Sequence, residues 1–327
     1  MSRTARITEV AQREFTSILR TPLLVALSGG FVLVVVAVAW LGGRAAYLPL
    51  VLDLLTPLEV LVPVLAFAFG YRALLGDRES GELETIRTYP VGGGTYVAGV
   101  FLGRAVALLG VVFSALLGAG VLVPLGGGDG SSVIASHATV DTPGLFLRYA
   151  LLTAAFALVA LAVAILVSAG ARSTRGGLAL ATGAVVALVI GLDSSLIAAV
   201  TGGVVAASDL AALLVVSPAS AYRTLVLQTA VAPAGVNVPA GADAAFGALA
   251  LGVWFGGALA LAVTAPLQRV GLIGINDLAV NLDVENRVAL TVSPAIGYYA
   301  LAAQSVIIYE IIHRFDSDHR TRLTVAT

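Results

Sequence analysis

Residues 23–41 read LLVALSGGFVLVVVAVAWL, an apolar run without a charged side chain, closed by Gly42, Gly43 and Arg44. A helix rises about 1.5 Å per residue, so a run of this length crosses most of the ~30 Å hydrocarbon core of a bilayer. It has no polar face, and a helix apolar all round needs either lipid or a large protein interior around it. Composition decides between the two. Hydrophobic residues make up 59% of the 327 and charged residues 11%, with a mean hydropathy of +1.00. A soluble chain carries roughly a quarter charged residues, and even large soluble domains keep a wetted polar surface. The solvent here is lipid.

Five further runs meet the same length requirement: Leu54–Ala73, Val97–Pro124, Phe146–Ser168, Leu178–Val200 and Ala244–Ala265. The first of these is expected to bend near Pro57 and Pro63. A last stretch, Val288–Tyr309, is a weaker candidate for a seventh span, because it holds Pro294 and Gln304 and runs into Glu310 and His313. The reading is an all-α polytopic membrane protein with six transmembrane helices, preceded by an amphipathic helix. In that leading segment Ile7, Val10, Ala11, Phe15 and Ile18 fall near one face while Arg6, Arg13 and Glu14 lie elsewhere. Such a helix suits the interface plane of a membrane. Its charges also distinguish Met1–Arg20 from a cleavable signal peptide.

Arginine distribution sets the expected orientation. With the N-terminus inside, the cytoplasmic segments hold Arg3, Arg6, Arg13 and Arg20, then Arg72, Arg78 and Arg87, then Arg172 and Arg175, then Arg269 and Arg287. The outer segments hold only Arg44, Arg148 and Arg223, beside Asp129, Asp141, Asp209 and Asp243. The N-terminus is therefore expected in the cytoplasm. A seventh span would carry Arg314, Arg320 and Arg322 outward, so the tail is read as membrane-associated. The chain divides into residues 1–22, a six-span domain over 23–268, and a C-terminal extension over 269–327. The spans are separated by a cytoplasmic segment at 74–95 and outer loops at 126–145 and 201–243. The second outer loop is expected to hold an interfacial or re-entrant helix, since its apolar stretches are too short to span.

Several function classes are excluded. All 18 basic residues are arginine, so the lysine that a P-loop places on nucleotide phosphates is missing. If ATP drives this protein, the ATPase is another polypeptide. There is no cysteine, and a net charge of −1 gives no reason to expect nucleic acid. Neither H-E-x-x-H nor G-x-S-x-G occurs, and Glu310-Ile-Ile-His313 supplies too few ligands for a catalytic metal. No catalytic or metal-binding residue is expected. His137 beside Asp141 reads as a solvated loop histidine.

Charges inside the spans draw attention because an isolated one is costly in hydrocarbon. Glu59 reads either as a pathway or gate residue, or as a carboxylate hydrated near the surface or kept protonated. Asp193, followed by Ser194 and Ser195, reads either as a helix break or as a pathway residue. Arg104 is most simply a side chain snorkelling to the inner interface.

The long polar insertion on the cytoplasmic side, residues 71–104, is YRALLGDRESGELETIRTYPVGGGTYVAGVFLGR. Gly76-Asp77 is read as ending one helix, Glu79–Tyr89 as a short helix, Pro90 as its stop, and Gly92, Gly93 and Gly94 as a flexible turn. A short charged helix held between two spans is a surface on which a soluble partner can dock. A solvated connecting loop is the plainer alternative.

The stretch resembles the coupling segment of ABC-2 type transporter permeases, in which an acidic E-x-E-x-G-T-L run precedes Tyr-Pro. The matching residues are Asp77, Glu79, Gly81, Glu82, Leu83, Tyr89 and Pro90. The chain is most similar to the NosY-type permeases of nitrous-oxide-reductase maturation. That likeness extends to Arg13-Glu14, to the second span with Pro63, and to the outer motif Ser217-Pro218-Ala219-Ser220-Ala221-Tyr222-Arg223. It implies an elbow helix at the N-terminus, a homodimer in the plasma membrane of a prokaryote, and an ABC ATPase subunit binding ATP and Mg. It further implies a copper-handling protein outside, for which Ser217, Pro218, Tyr222 and Arg223 are contact candidates. The same build serves exporters of lipids, drugs or antibiotics, and a gradient-driven secondary transporter is the more distant alternative. Two features depart from the pattern: Ser217, where asparagine is common, and some sixty residues after the sixth span.

Overall fold

The structure, a computed structural model, describes residues 3–42, 46–80, 93–125, 142–202, 216–236 and 243–268. Among these residues all regular structure is helical. Helix α1 (Arg3–Leu19) precedes α2 (Pro22–Leu41), α3 (Tyr47–Gly70), the short α4 (Leu75–Glu79), α5 (Gly93–Leu125) and α6 (Pro143–Gly170). Then come α7 (Thr174–Val186), a π-turn (Ala187–Gly191) and α8 (Leu192–Thr201). Helix α9 (Pro218–Val226), a second π-turn (Leu227–Val231) and α10 (Ala244–Gln268) complete the order. Six segments are long and apolar enough to cross a membrane: Pro22–Leu41, Tyr47–Glu79, Gly93–Leu125, Pro143–Gly170, Thr174–Ala198 and Ala244–Thr264. The six-span reading of the sequence therefore stands. Val288–Tyr309 lies outside the described residues.

Proline starts three of the helices. Pro22, Pro143 and Pro218 each sit at the first helical position behind an extended Thr21, Thr142 or Ser217. Proline suits that position because its missing N–H would be unpaired there anyway. Pro57 and Pro63, by contrast, lie inside a continuous α3, which begins at Tyr47 and thus includes Asp53. Gly93 and Gly94, expected in a flexible turn, already belong to α5. No helix ends at Asp193; the irregularity is the π-turn just before it, and Asp193 lies in the first turn of α8.

Helix α6 is the centre of the bundle, packed against α3, α5, α9 and α10. Its buried face is dominated by alanine, including Ala154, Ala157, Ala160, Ala162, Ala164 and Ala169. Without a hydrophobic drive between helices in lipid, close van der Waals approach holds them together, and small residues permit it. Gly70 of α3 meets Ala164 of α6 on this principle. Leu33, Leu117, Leu151 and Phe246 point outward, as lipid-facing side chains do.

The leading helix does not simply float on the surface. Helix α1 packs along α5, with Gly99 and Gly103 facing Val10, Ala11 and Glu14. A Cβ at Gly103 would collide with the Ala11 backbone carbonyl, which cannot rotate away. Gly103→Ala is expected to push α1 off its seat at about 1–3 kcal/mol. Faster amide exchange confined to α1 and a lower melting temperature in detergent would show it; unchanged exchange would contradict the packing.

Candidate functional site

Two polar networks lie at different levels along the bundle, termed inner and outer by the orientation expected from the arginine distribution. The inner one joins α1, α3, α4 and α5. Glu14, 3% exposed, accepts from Arg13 Nη2 at 2.9 Å and from Arg104 Nε and Nη2 at 3.0 and 2.8 Å. Arg104 also donates to the Phe69 carbonyl. Arg13 reaches Asp77 at 2.9 Å, and the Tyr96 hydroxyl donates to the same carboxylate. Partial burial pulls the Arg13 guanidinium down, but Asp77 and Glu14 outweigh it and hold its pKa above the ordinary value. Arg104 is therefore an internal ion-pair partner, which corrects the snorkelling expectation. The nearest carboxylate is a better place for its charge than a distant interface.

The start of the polar segment after the second span is anchored by the same kind of directed contact. Ser168 Oγ accepts from the Leu74 and Leu75 amides at 2.9 and 3.1 Å. Arg78 donates to the carbonyls of Ala171 and Ala169 at 2.8 and 3.4 Å. The Glu79 carboxylate accepts from the Thr174 amide at 2.7 Å and from its hydroxyl at 2.6 Å. It thereby places a negative charge at the N-terminus of α7, where the helix dipole favours one. Gly81, Glu82, Leu83, Tyr89 and Pro90 lie outside the described residues.

The outer network joins α3, α6, α8 and α9. Glu59, 2% exposed, pairs with Arg223. One turn earlier on α9, Ser220 donates to Asp193 Oδ2 at 2.7 Å. Tyr222 is fully buried, 2.8 Å from Thr153 Oγ1 and stacked on Phe156 at a ring separation of 4.6 Å. Ser217 and Pro218 are buried as well. The outer motif thus faces into the bundle. Ser217, Pro218 and Tyr222 are buried and so are not exposed as contacts for an outer partner, Tyr222 against Thr153 and Phe156 of α6. Arg223 pairs with Glu59, so the reading of Glu59 as a carboxylate hydrated near the surface does not describe this arrangement.

Sequence reasoning missed the partners Arg13, Tyr96, Ser168 and Thr174. One signal was present: Gly99 and Gly103 sit four apart immediately before Arg104, the spacing of a close helix crossing.

Six segments long and apolar enough to span, with the polar stretch 77–79 at the end of the second tied to α1, α5, α6 and α7, make up a multi-pass membrane domain. The chain matches the ABC-2 family transporter protein over residues 8–270, and it belongs to that family. The probable ABC transporter permease protein NosY of Pseudomonas aeruginosa is 33% identical over 271 residues, covering 77% of this chain and 94% of the relative. The protein of the same name from Stutzerimonas stutzeri is 32% identical over 110 residues, covering 32% of this chain and 40% of the relative. The chain is a multi-pass permease subunit of an ABC transporter, similar to NosY, and not itself the ATPase.

Proposed function

We propose that the chain is one half of a homodimeric permease, with its N-terminus cytoplasmic, on which a separate ABC ATPase docks at residues 74–95. The ATPase would hold ATP and Mg. Its closure would press on Asp77, Glu79, Gly81, Glu82, Leu83, Tyr89 and Pro90. The carrying observation is that Asp77, Arg78 and Glu79 are each bonded to a different element: α1 and α5, the end of α6, and the start of α7. A push on Asp77, Arg78 or Glu79 would therefore act directly on α1, α5, α6 and α7. Similarity to NosY supports a place in copper-centre maturation of nitrous oxide reductase, with a copper-handling protein outside the membrane.

Reversing two acids tests the docking. Glu79→Arg with Glu82→Arg is expected to abolish stimulation of the ATPase by the reconstituted permease while membrane insertion stays normal. Full stimulation in that double variant would remove the docking assignment. Loss of one capping contact alone costs only about 1 kcal/mol, too little to prevent insertion.

A further inference from the structure

The two polar networks differ in their charge balance. The inner one has two carboxylates, Glu14 and Asp77, and two guanidiniums, Arg13 and Arg104. The outer one has two buried carboxylates, Glu59 and Asp193, and one guanidinium, Arg223. The two carboxylates are held by residues one turn apart on α9, Glu59 by Arg223 and Asp193 by Ser220. Among the described residues, the other titratable groups near Glu59 are Tyr149 on α6 and Tyr222 on α9, neither of which supplies a positive charge.

The oxygens left over point the same way. Glu59 Oε1 and Asp193 Oδ1 are buried and have no hydrogen-bond partner among the described residues, and Ser217 Oγ is in the same condition. Pro63 has no N–H to offer the Glu59 carbonyl four residues before it. Irregular turns flank the cluster: one π-turn ends at Gly191, two residues before Asp193, and another begins at Leu227, four after Arg223. Such turns recur at functional sites in helices. Two carboxylates near one another in a poorly solvated site do not both stay ionised on a single counter-charge.

We propose that Glu59 and Asp193 together hold one exchangeable proton, making this outer cluster a proton-binding site between α3, α8 and α9. The inference stands apart from ATPase docking, since it concerns the charge of the resting bundle. With the proton, the cluster is neutral: two acids, one arginine, one proton. A sodium ion on the same oxygens would supply the same positive charge, and the test separates the two.

Infrared spectra of the full chain in lipid nanodiscs, free of sodium and then with it, report protonated carboxyl groups by their carbonyl stretch. Wild type is expected to show a protonated-carboxyl band at neutral pH that sodium leaves unchanged. Glu59→Gln and Asp193→Asn should each abolish it, because one acid then remains for one arginine. Arg223→Gln should roughly double it. Absence of the band in sodium-free wild type overturns the proposal whatever the variants do. A band that disappears on adding sodium overturns it in favour of a metal ion. A band that survives in both acid variants places the proton elsewhere and overturns it too.

Discussion

Arg223→Ala is expected to lower the stability of the bundle by about 3–5 kcal/mol, the cost of breaking a buried ion pair from one side. The side chain is 18% exposed, and Glu59, its partner, is 3% exposed. Removing the guanidinium leaves two buried carboxyl groups, on α3 and on α8, that must either take up a second proton or carry an uncompensated charge. Glu59→Gln should be the milder change, because one carboxylate, Asp193, which Ser220 holds against α9, then remains for one guanidinium. Unfolding in graded denaturing detergent measures both. The order matters more than the size: equal losses would mean that Asp193 does not share the site. Glu59→Ala is expected to insert normally and to transport poorly, since it removes the contact that ties α3 to α9.

Glu14→Ala should have an effect of similar size in the inner network, again about 3–5 kcal/mol. Its carboxylate is shared by Arg13 and Arg104, and Arg104 is only 13% exposed. Without it Arg104 keeps just the Phe69 carbonyl, and α1 loses its ionic hold on α5. Helix α1 should then open to protease within the segment Arg3–Leu19 while the six spans remain protected. Because Arg13 also holds Asp77, stimulation of the ATPase should fall together with the protection of α1. Protease resistance equal to wild type would show that packing at Gly99 and Gly103 suffices on its own.

The spans were legible because hydropathy is a property of the side chains in a run and needs no knowledge of partners. Their ends were less so. Helix α3 starts at Tyr47 and continues through Pro57 and Pro63, since neighbours hold a helix together where its own hydrogen bonds lapse. The polar contacts were the least legible. Arg104 meets a carboxylate 90 residues away, and Arg223 meets one 164 residues away. No local pattern announces a pairing at that separation, so each charge read alone suggested an interface or a pathway. The outer motif around Ser217 and Pro218 was visible as a sequence, but its inward orientation depends on how α9 packs. The two π-turns add one residue to a helical turn and leave no mark in composition.

The chain has no cysteine, so a single introduced thiol reports on one place. Ser80, exposed at the end of α4, lies within the proposed docking segment, and Thr142, exposed ahead of α6, is a control predicted to lie on the other side. Cross-linking in native membranes from Ser80→Cys and from Thr142→Cys, with partners identified by mass, tests the central claim. A P-loop ATPase captured from position 80 and not from 142 is the expected result. Capture of that ATPase from position 142, or its absence at position 80 in membranes that contain it, would contradict the account.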